Sequence, residues 1–168
     1  MTRLPDEQWE WVQTVLPIAV VDVMPLHADK QRVGLIRRET PHQGERWNLI
    51  GGRVAHGESL VLAIEREIRE ALGDRARVDL SDAGQPLYVA QYGPWRAEPF
   101  SFDPRKHAIG MTYLLPVAGP LTACGEALSF AWFMAMELPA RSEWGFEQDR
   151  VAEACLARAQ IPFSFSTN

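Results

Sequence analysis

Residues 51–73 read GGRVAHGESLVLAIEREIREALG. A Gly-Gly pair leads through a polar loop into a run where Leu60, Ala63, Ile64, Ile68 and either Ala71 or Leu72 recur at helical spacing. The pattern predicts a helix over 59–72, stopped by Gly73. Glu58, Glu65, Glu67 and Glu70 lie in or beside it. Glu67 and Glu70 are three apart, so their side chains leave the same face. Clustered carboxylates repel, and a site that keeps them ionised generally supplies a cation. Hard oxygen ligands select Mg²⁺, Mn²⁺ or Ca²⁺ over zinc. On these residues alone a solvated face laced by pairs such as Arg66 with Glu70 is the better account.

Outward from this helix the chain alternates strand-like and helical runs. LPDEQWEWVQTVL (4–16) predicts an opening helix: Pro5 suits a first turn, and Asp6 and Glu7 suit the positive end of the helix dipole. Trp9, Val12 and Leu16 share one face, widened by Trp11 and Val15. A buried strand is expected over 18–24, hairpin-paired with QRVGLIRR (31–38). TPHQGER (40–46) reads as a loop and WNLI (47–50) as a short strand. PLYVAQY (86–92), AIGMTYLLPVA (108–118) and LSFAWFMAM (128–136) are rich in aromatic and β-branched residues and predict three further strands. The long loop GPWRAEPFSFDPRKH (93–107) is of the length that is usually functional or mobile. SEWGFEQDRVAEACLARA (142–159) predicts a final amphipathic helix. Such irregular alternation with hairpins implies an α/β fold, a mixed sheet flanked by helices.

Composition excludes several classes. At 168 residues the chain suits one domain, spanning 1–168, with no linker or repeat dividing it. A net charge of −5 argues against a nucleic acid polymer as partner, although a small phosphorylated ligand needs only a local basic pocket. Cys124 and Cys155 are too few for a disulfide framework or a zinc cluster and read as reduced thiols. The apolar run LPIAVVDVMPL is short and interrupted by Asp22, so no membrane span is expected. The acidic, aromatic start is unlike a signal peptide, and a cytoplasmic location is expected.

In the opening stretch, Gly52, Glu58, Arg66, Glu67, Ile68, Glu70 and Gly73 fall in the register Gly, five residues, Glu, seven residues, Arg-Glu, apolar, any, Glu. Over residues 52–74 this resembles the Nudix box. Many fixed identities across a loop, helix and loop are far more specific than a lone glycine motif. RRETPHQGERWNLIGGRV (37–54) is similar to the family's approach strand, and ALSFAWFMAMELP (127–139) to its last strand, so the likeness covers most of 17–139. RWNLIGGRV, with Arg53 directly after the Gly-Gly pair, and the helical N-terminus resemble the GDP-mannose mannosyl hydrolase branch more weakly.

The resemblance implies the Nudix α/β/α sandwich and Mg²⁺- or Mn²⁺-dependent hydrolysis of a nucleoside diphosphate linked to another moiety, such as a nucleotide sugar. It implies the Gly52 carbonyl, Glu67, Glu70 and Glu126 as metal ligands, and Glu67, Glu70, Arg66 and Glu126 as the catalytic set. Arg66 would hold the glutamate face by ion pairing. Arg37, Arg38 and Arg53 are the candidate phosphate clamps, because guanidinium groups pair bidentately with phosphate. One of Arg37 and Arg38 must face the other side of the sheet. Asp103 and His107 lie in the long loop that would overhang the site. Trp95 is the candidate stacking platform for a base or sugar, while Phe100 and Phe102 suit a core or dimer contact, and a homodimer is expected. Two positions depart from the box. Asp74 replaces its terminal apolar residue, and Ala71 replaces the second glutamate of its Glu-Glu pair, a metal ligand in the family. Ala71 cannot coordinate a cation, so two alternatives stand beside the main reading. One is hydrolysis at the sugar carbon, and the other is a domain that binds a nucleotide in regulation without turnover.

Overall fold

The computed structural model describes residues 5–41, 43–95 and 101–167. In chain order the elements are α1 (Asp6–Val15), β1 (Ile18–Leu26), β2 (Arg32–Thr40), β3 (Gly44–Asn48), β4 (Ile50–Arg53), α2 (Leu60–Leu72), β5 (Arg77–Val78), β6 (Tyr88–Gly93), β7 (Ser101–Phe102), β8 (Ala108–Ala118), β9 (Ser129–Met134) and α3 (Gln148–Arg158). β1 and β2 form the expected antiparallel pair, with Leu26 opposite Val33. β1 also runs parallel to β8 along its whole length, from Ile18 opposite Ala108 to Leu26 opposite Pro116, which makes the sheet mixed. The main path through the sheet is β3-β2-β1-β8-β6-β7, with β4 added on β1, β5 on β8 and β9 on β2.

Helices cover both faces, and the period-2 alternation of β1 decides which residue goes to which. Val21 and Val23 join Ala63, Ile64, Ile68, Ala71 and Leu72 of α2 in one core. Ile18, Val20, Met24 and Leu26 join Val151, Ala152, Cys155 and Leu156 of α3 in the other, with Trp9 and Val12 of α1 packed on its margin. The α/β/α sandwich with a mixed sheet expected from the sequence is the observed fold. Each Ile or Leu that α2 buries contributes about 2–3 kcal/mol, enough to fix this helix against the sheet.

Several boundaries differ from the sequence expectation. Residues 44–46, read as loop, are strand, because Arg38 opposite Arg46 and Thr40 opposite Gly44 extend the β2–β3 ladder. WNLI splits between β3 and β4 at Leu49, whose N–H donates to the Gln148 side chain at 2.9 Å instead of to a neighbouring strand. The last helix starts only at Gln148, since Phe146 and Glu147 take φ of 54° and 55° in the left-handed region. Non-glycine residues there cost about 1–3 kcal/mol each and persist where surrounding contacts hold them. No helix among the described residues is long and apolar enough to cross a membrane.

Candidate active site

α2 begins where Ser59 accepts a hydrogen bond from the Leu62 N–H, and ends at Gly73, whose φ of 87° suits a residue without Cβ. Its apolar stripe faces the sheet, which turns Glu67 toward the Gly51-Gly52 end of β4. The approach is close. A Cβ on Gly52 would collide with the Glu67 carboxylate, and one on Gly51 would meet the Val21 carbonyl oxygen and the Asp22 carboxylate. The Gly-Gly pair is therefore required because two carboxylates lie against it from opposite sides.

Arg66 organises the glutamates. Its Nε donates to Glu58 Oε1 at 2.8 Å, one terminal nitrogen donates to Glu58 Oε2 at 3.0 Å and to the Arg53 carbonyl at 2.9 Å. The other reaches Glu67 in a very short contact, and Glu70 at 3.5 Å. Glu58 also accepts from the Ala55 N–H, bracing the loop before α2. Hydrogen bonding from Arg66 holds the Glu58 carboxyl below its usual range, and the same bonds push the Arg66 guanidinium up. Glu67 goes the other way: burial raises its pKa, only partly opposed by Arg66, and Glu70 and Glu126 add to the rise. A buried carboxylate pressed by two others is a group that gains from a bound cation.

Gly52, Arg66, Glu67 and Glu70 line a cleft of about 800 Å³ together with Arg38, Arg53, Ala71, Arg105, Lys106 and Glu126. Of the site residues expected from sequence, Gly52, Glu67, Glu70, Arg66, Glu126, Arg38 and Arg53 thus share one cavity. Arg38 donates to Glu126 Oε1 at 2.5 Å, joining β2 to the loop before β9. Arg53 stacks over the Trp9 ring at 4.4 Å, so α1 covers one edge of the cleft. Arg37 points to the other side of the sheet, paired with Glu45 at 3.1 Å and over Trp47. Trp95 folds back on Gly93 and meets the His107 ring edge-on at 5.0 Å; it is not part of the cleft lining. Phe102 is half-buried in β7, and Phe100 lies outside the described residues.

Sequence reading missed the floor and far wall of this cleft. Asp22, on the α3 face of β1 beside Val20 and Met24, is 6% exposed. It accepts a hydrogen bond from the Tyr92 hydroxyl at 2.9 Å. Burial pushes its pKa up to about 6, against the hydrogen bond and the charges of Lys106 and Arg38. Burial together with Asp22 raises the Tyr92 phenol well above its ordinary range. Asp22, Tyr92, Phe146 and Gln148 line a smaller compartment of about 80 Å³, which shares Arg38, Gly51, Gly52, Arg105 and Lys106 with the main cleft. Arg105 is braced by both oxygens of Asp103, at 2.9 and 2.8 Å, and by the Phe146 ring at 4.9 Å. The signal for Asp22 was in the sequence, since a lone carboxylate within a buried apolar run is costly and needs a reason.

The donor set around Gly52 is all oxygen, which suits a hard cation. Among the described residues no three His, Cys, Asp or Glu side chains are close enough to form a ready-made cage. Glu67 and Glu70 are turned to Arg66, and Glu126 to Arg38. Mg²⁺ is commonly held by one or two carboxylates plus the phosphates of its substrate, and this set fits that mode. Ala71, 5% exposed, lines the cleft one turn beyond Glu67 and leaves its side of the set without a ligand.

Comparison with known proteins bears on the family and the fold. Residues 2–160 match the family described as "Domain of unknown function (DUF4916)". The Low-salt glycan biosynthesis protein Agl8 of Haloferax volcanii is 36% identical over 72 residues, covering 43% of this chain and 45% of that protein. The match therefore spans less than half of that relative's length. Among solved structures, a possible asymmetric diadenosine tetraphosphate hydrolase of Jonesia denitrificans superposes with a TM-score of 0.76 at 27% identity, over 89% of this chain and 99% of that one. The NUDIX domain of Shewanella oneidensis NrtR, complexed with ADP ribose, superposes with a TM-score of 0.58 at 15% identity, over 93% and 99%.

Proposed function

The chain belongs to the family described as Domain of unknown function (DUF4916) and has the Nudix fold, and from that premise we propose that it is a Mg²⁺- or Mn²⁺-dependent hydrolase of a nucleoside diphosphate linked to another moiety, such as a nucleotide sugar. The observation that carries this reading is the shared cleft at the Gly-Gly turn, where Glu67, Glu70 and Glu126 stand beside Arg38 and Arg53. A diphosphate bridged by a cation needs both kinds of group within its own length.

In this reading the Gly52 carbonyl, Glu126 and one of Glu67 and Glu70 would hold the metal. When bound, the cation neutralises the diphosphate and sharpens an attacking water. Glu70, whose side chain is 63% exposed and most open to solvent, orients or deprotonates that water. Arg66 keeps Glu67 and Glu70 on one side of the cleft. Arg38 and Arg53 grip the phosphates, and α1, stacked on Arg53 through Trp9, limits access from one edge.

The test is incubation with nucleotide sugars, ADP ribose and dinucleoside polyphosphates in Mg²⁺ or Mn²⁺, with products read by phosphorus NMR. Release of a nucleoside monophosphate and a phosphorylated second product means attack at phosphorus. A nucleoside diphosphate with free sugar, the solvent ¹⁸O of a reaction run in labelled water found on the sugar and not in the phosphate, means attack at the sugar carbon, the alternative that the likeness to a glycan biosynthesis protein keeps in view. Ala71 favours another reading, a nucleotide-binding domain without turnover, because a depleted ligand shell weakens a metal site. Nucleotide binding with no product across the whole panel would establish that one instead. Manganese titration completes the test: Glu67→Gln and Glu70→Gln should each weaken binding, and unchanged binding in both removes the metal.

A further inference from the structure

The cleft has a second charged end that the metal reading does not use. Lys106 is half-buried at the junction of the main cleft and the smaller compartment, and lines both. No carboxylate of the described residues comes within 4.0 Å of its ammonium group, and no hydrogen bond satisfies it. The carboxylates nearby are otherwise engaged. Asp103 is committed to Arg105 through both oxygens, and Glu126 to Arg38. Asp22 accepts the Tyr92 hydroxyl, and burial holds its pKa near the neutral range. Arg38 Nε is also buried without an acceptor. Desolvation lowers the Lys106 pKa, Arg105 adding to the fall and the charges of Asp103 and Asp22 opposing it.

A buried polar group without a partner is costly, and a partly desolvated cation more so, unless a ligand completes it. Arg105 is braced by Asp103 in the same wall, so two cations line one small space. A neutral sugar entering there would offer hydroxyl acceptors to the Lys106 ammonium but no counter-charge. We propose that the smaller compartment receives the moiety beyond the diphosphate, and that this moiety carries its own anionic group, a further phosphate or a carboxylate, paired with Lys106 and Arg105. The proposal rests on the reading of the cleft as a nucleoside diphosphate site, and narrows its substrate class.

Matched ligands test it by calorimetry. For the carboxylate source the probes are UDP-glucose against UDP-glucuronate and GDP-mannose against GDP-mannuronate, pairs that differ only in a hydroxymethyl or carboxylate group. For the phosphate source they are UDP against UTP and GDP against GTP. The chain should bind the more anionic member of at least one set about tenfold more tightly, the scale of one charge-assisted contact in a half-open site. Lys106→Gln should abolish that preference, weakening the more anionic member more than the less anionic one, and Lys106→Arg should keep most of it. Circular dichroism confirms that each variant is folded. Equal affinity within every set, or a preference that survives Lys106→Gln, overturns the proposal while leaving the diphosphate site intact. Failure of every probe to bind removes the underlying reading, and this inference with it.

Discussion

Replacing Asp22 by asparagine should make the protein more stable at pH 8 and leave its stability near pH 4 almost unchanged. The carboxyl is buried on the α3 face of β1, and its pKa is displaced from an ordinary 3.8 to about 6. At about 1.4 kcal/mol per unit, that displacement corresponds to about 3 kcal/mol of differential interaction. The sign follows from linkage. Because the folded-state value lies above the unfolded one, the unfolded chain releases this proton first. Stability from this group is complete below about pH 4, falls as pH rises, and is lost above about pH 6. Asparagine keeps an oxygen to accept from the Tyr92 hydroxyl and never ionises, so its stability should lack that decline. Urea denaturation followed by tryptophan fluorescence from pH 4 to pH 8 gives the difference between the two proteins. That difference should rise by about 3 kcal/mol, with its midpoint near pH 5, between the unfolded and folded values; a constant offset from the amide does not alter its shape. A flat difference, or one rising the other way, would show that Asp22 ionises freely and that the cleft floor is wetter than its burial indicates.

The other perturbations address the cleft walls. Arg66→Met strips the guanidinium from Glu58 and Glu67, whose side chains are only 7% and 12% exposed, and should cost about 3 kcal/mol in urea denaturation; millimolar Mg²⁺ should return part of that loss, and a loss below about 1 kcal/mol would deny Arg66 its organising role. Ala71→Glu adds a carboxylate beside Glu67 and should tighten Mn²⁺ about tenfold by titration while lowering metal-free stability; unchanged affinity in a folded variant puts any metal elsewhere. Arg53→Ala should weaken nucleoside diphosphates by about ten- to a hundredfold, and lysine should restore only part of this because it keeps the charge and loses the fork; wild-type affinity in both variants would leave Arg53 as no more than the seat for Trp9.

How much of this was legible in the sequence depends on the range over which each signal acts. The α2 helix, its Ser59 and Gly73 ends and the glutamates it presents were readable because helical spacing and capping are local. So was β8, whose eleven residues match the run read as strand. What escaped was whatever long-range contact decides. Residues 44–46 become strand only because β2 is there to pair with them, and Leu49 breaks the next strand because a side chain ninety-nine residues later takes its N–H. The site divides along the same line. Glu67, Glu70 and Arg66 come from one helix, whereas Asp22, Lys106 and Gln148 are brought to the cleft by the parallel pairing of β1 with β8 and by the left-handed entry to α3. The ambiguity between Arg37 and Arg38 was of this kind too: alternation said that they part, and only the Glu126 loop says which one meets the cleft. Ala71 is the informative exception, a departure visible in the sequence whose consequence depends on burial. At 5% exposure it packs with Ile68 and Leu72 while bordering the cleft, so alanine there serves the core. A glutamate at 71 would have to leave that packing to reach a cation. Loss of a ligand and gain of a packed helix are thus one change at one position, and the Ala71→Glu titration, read together with stability, separates them.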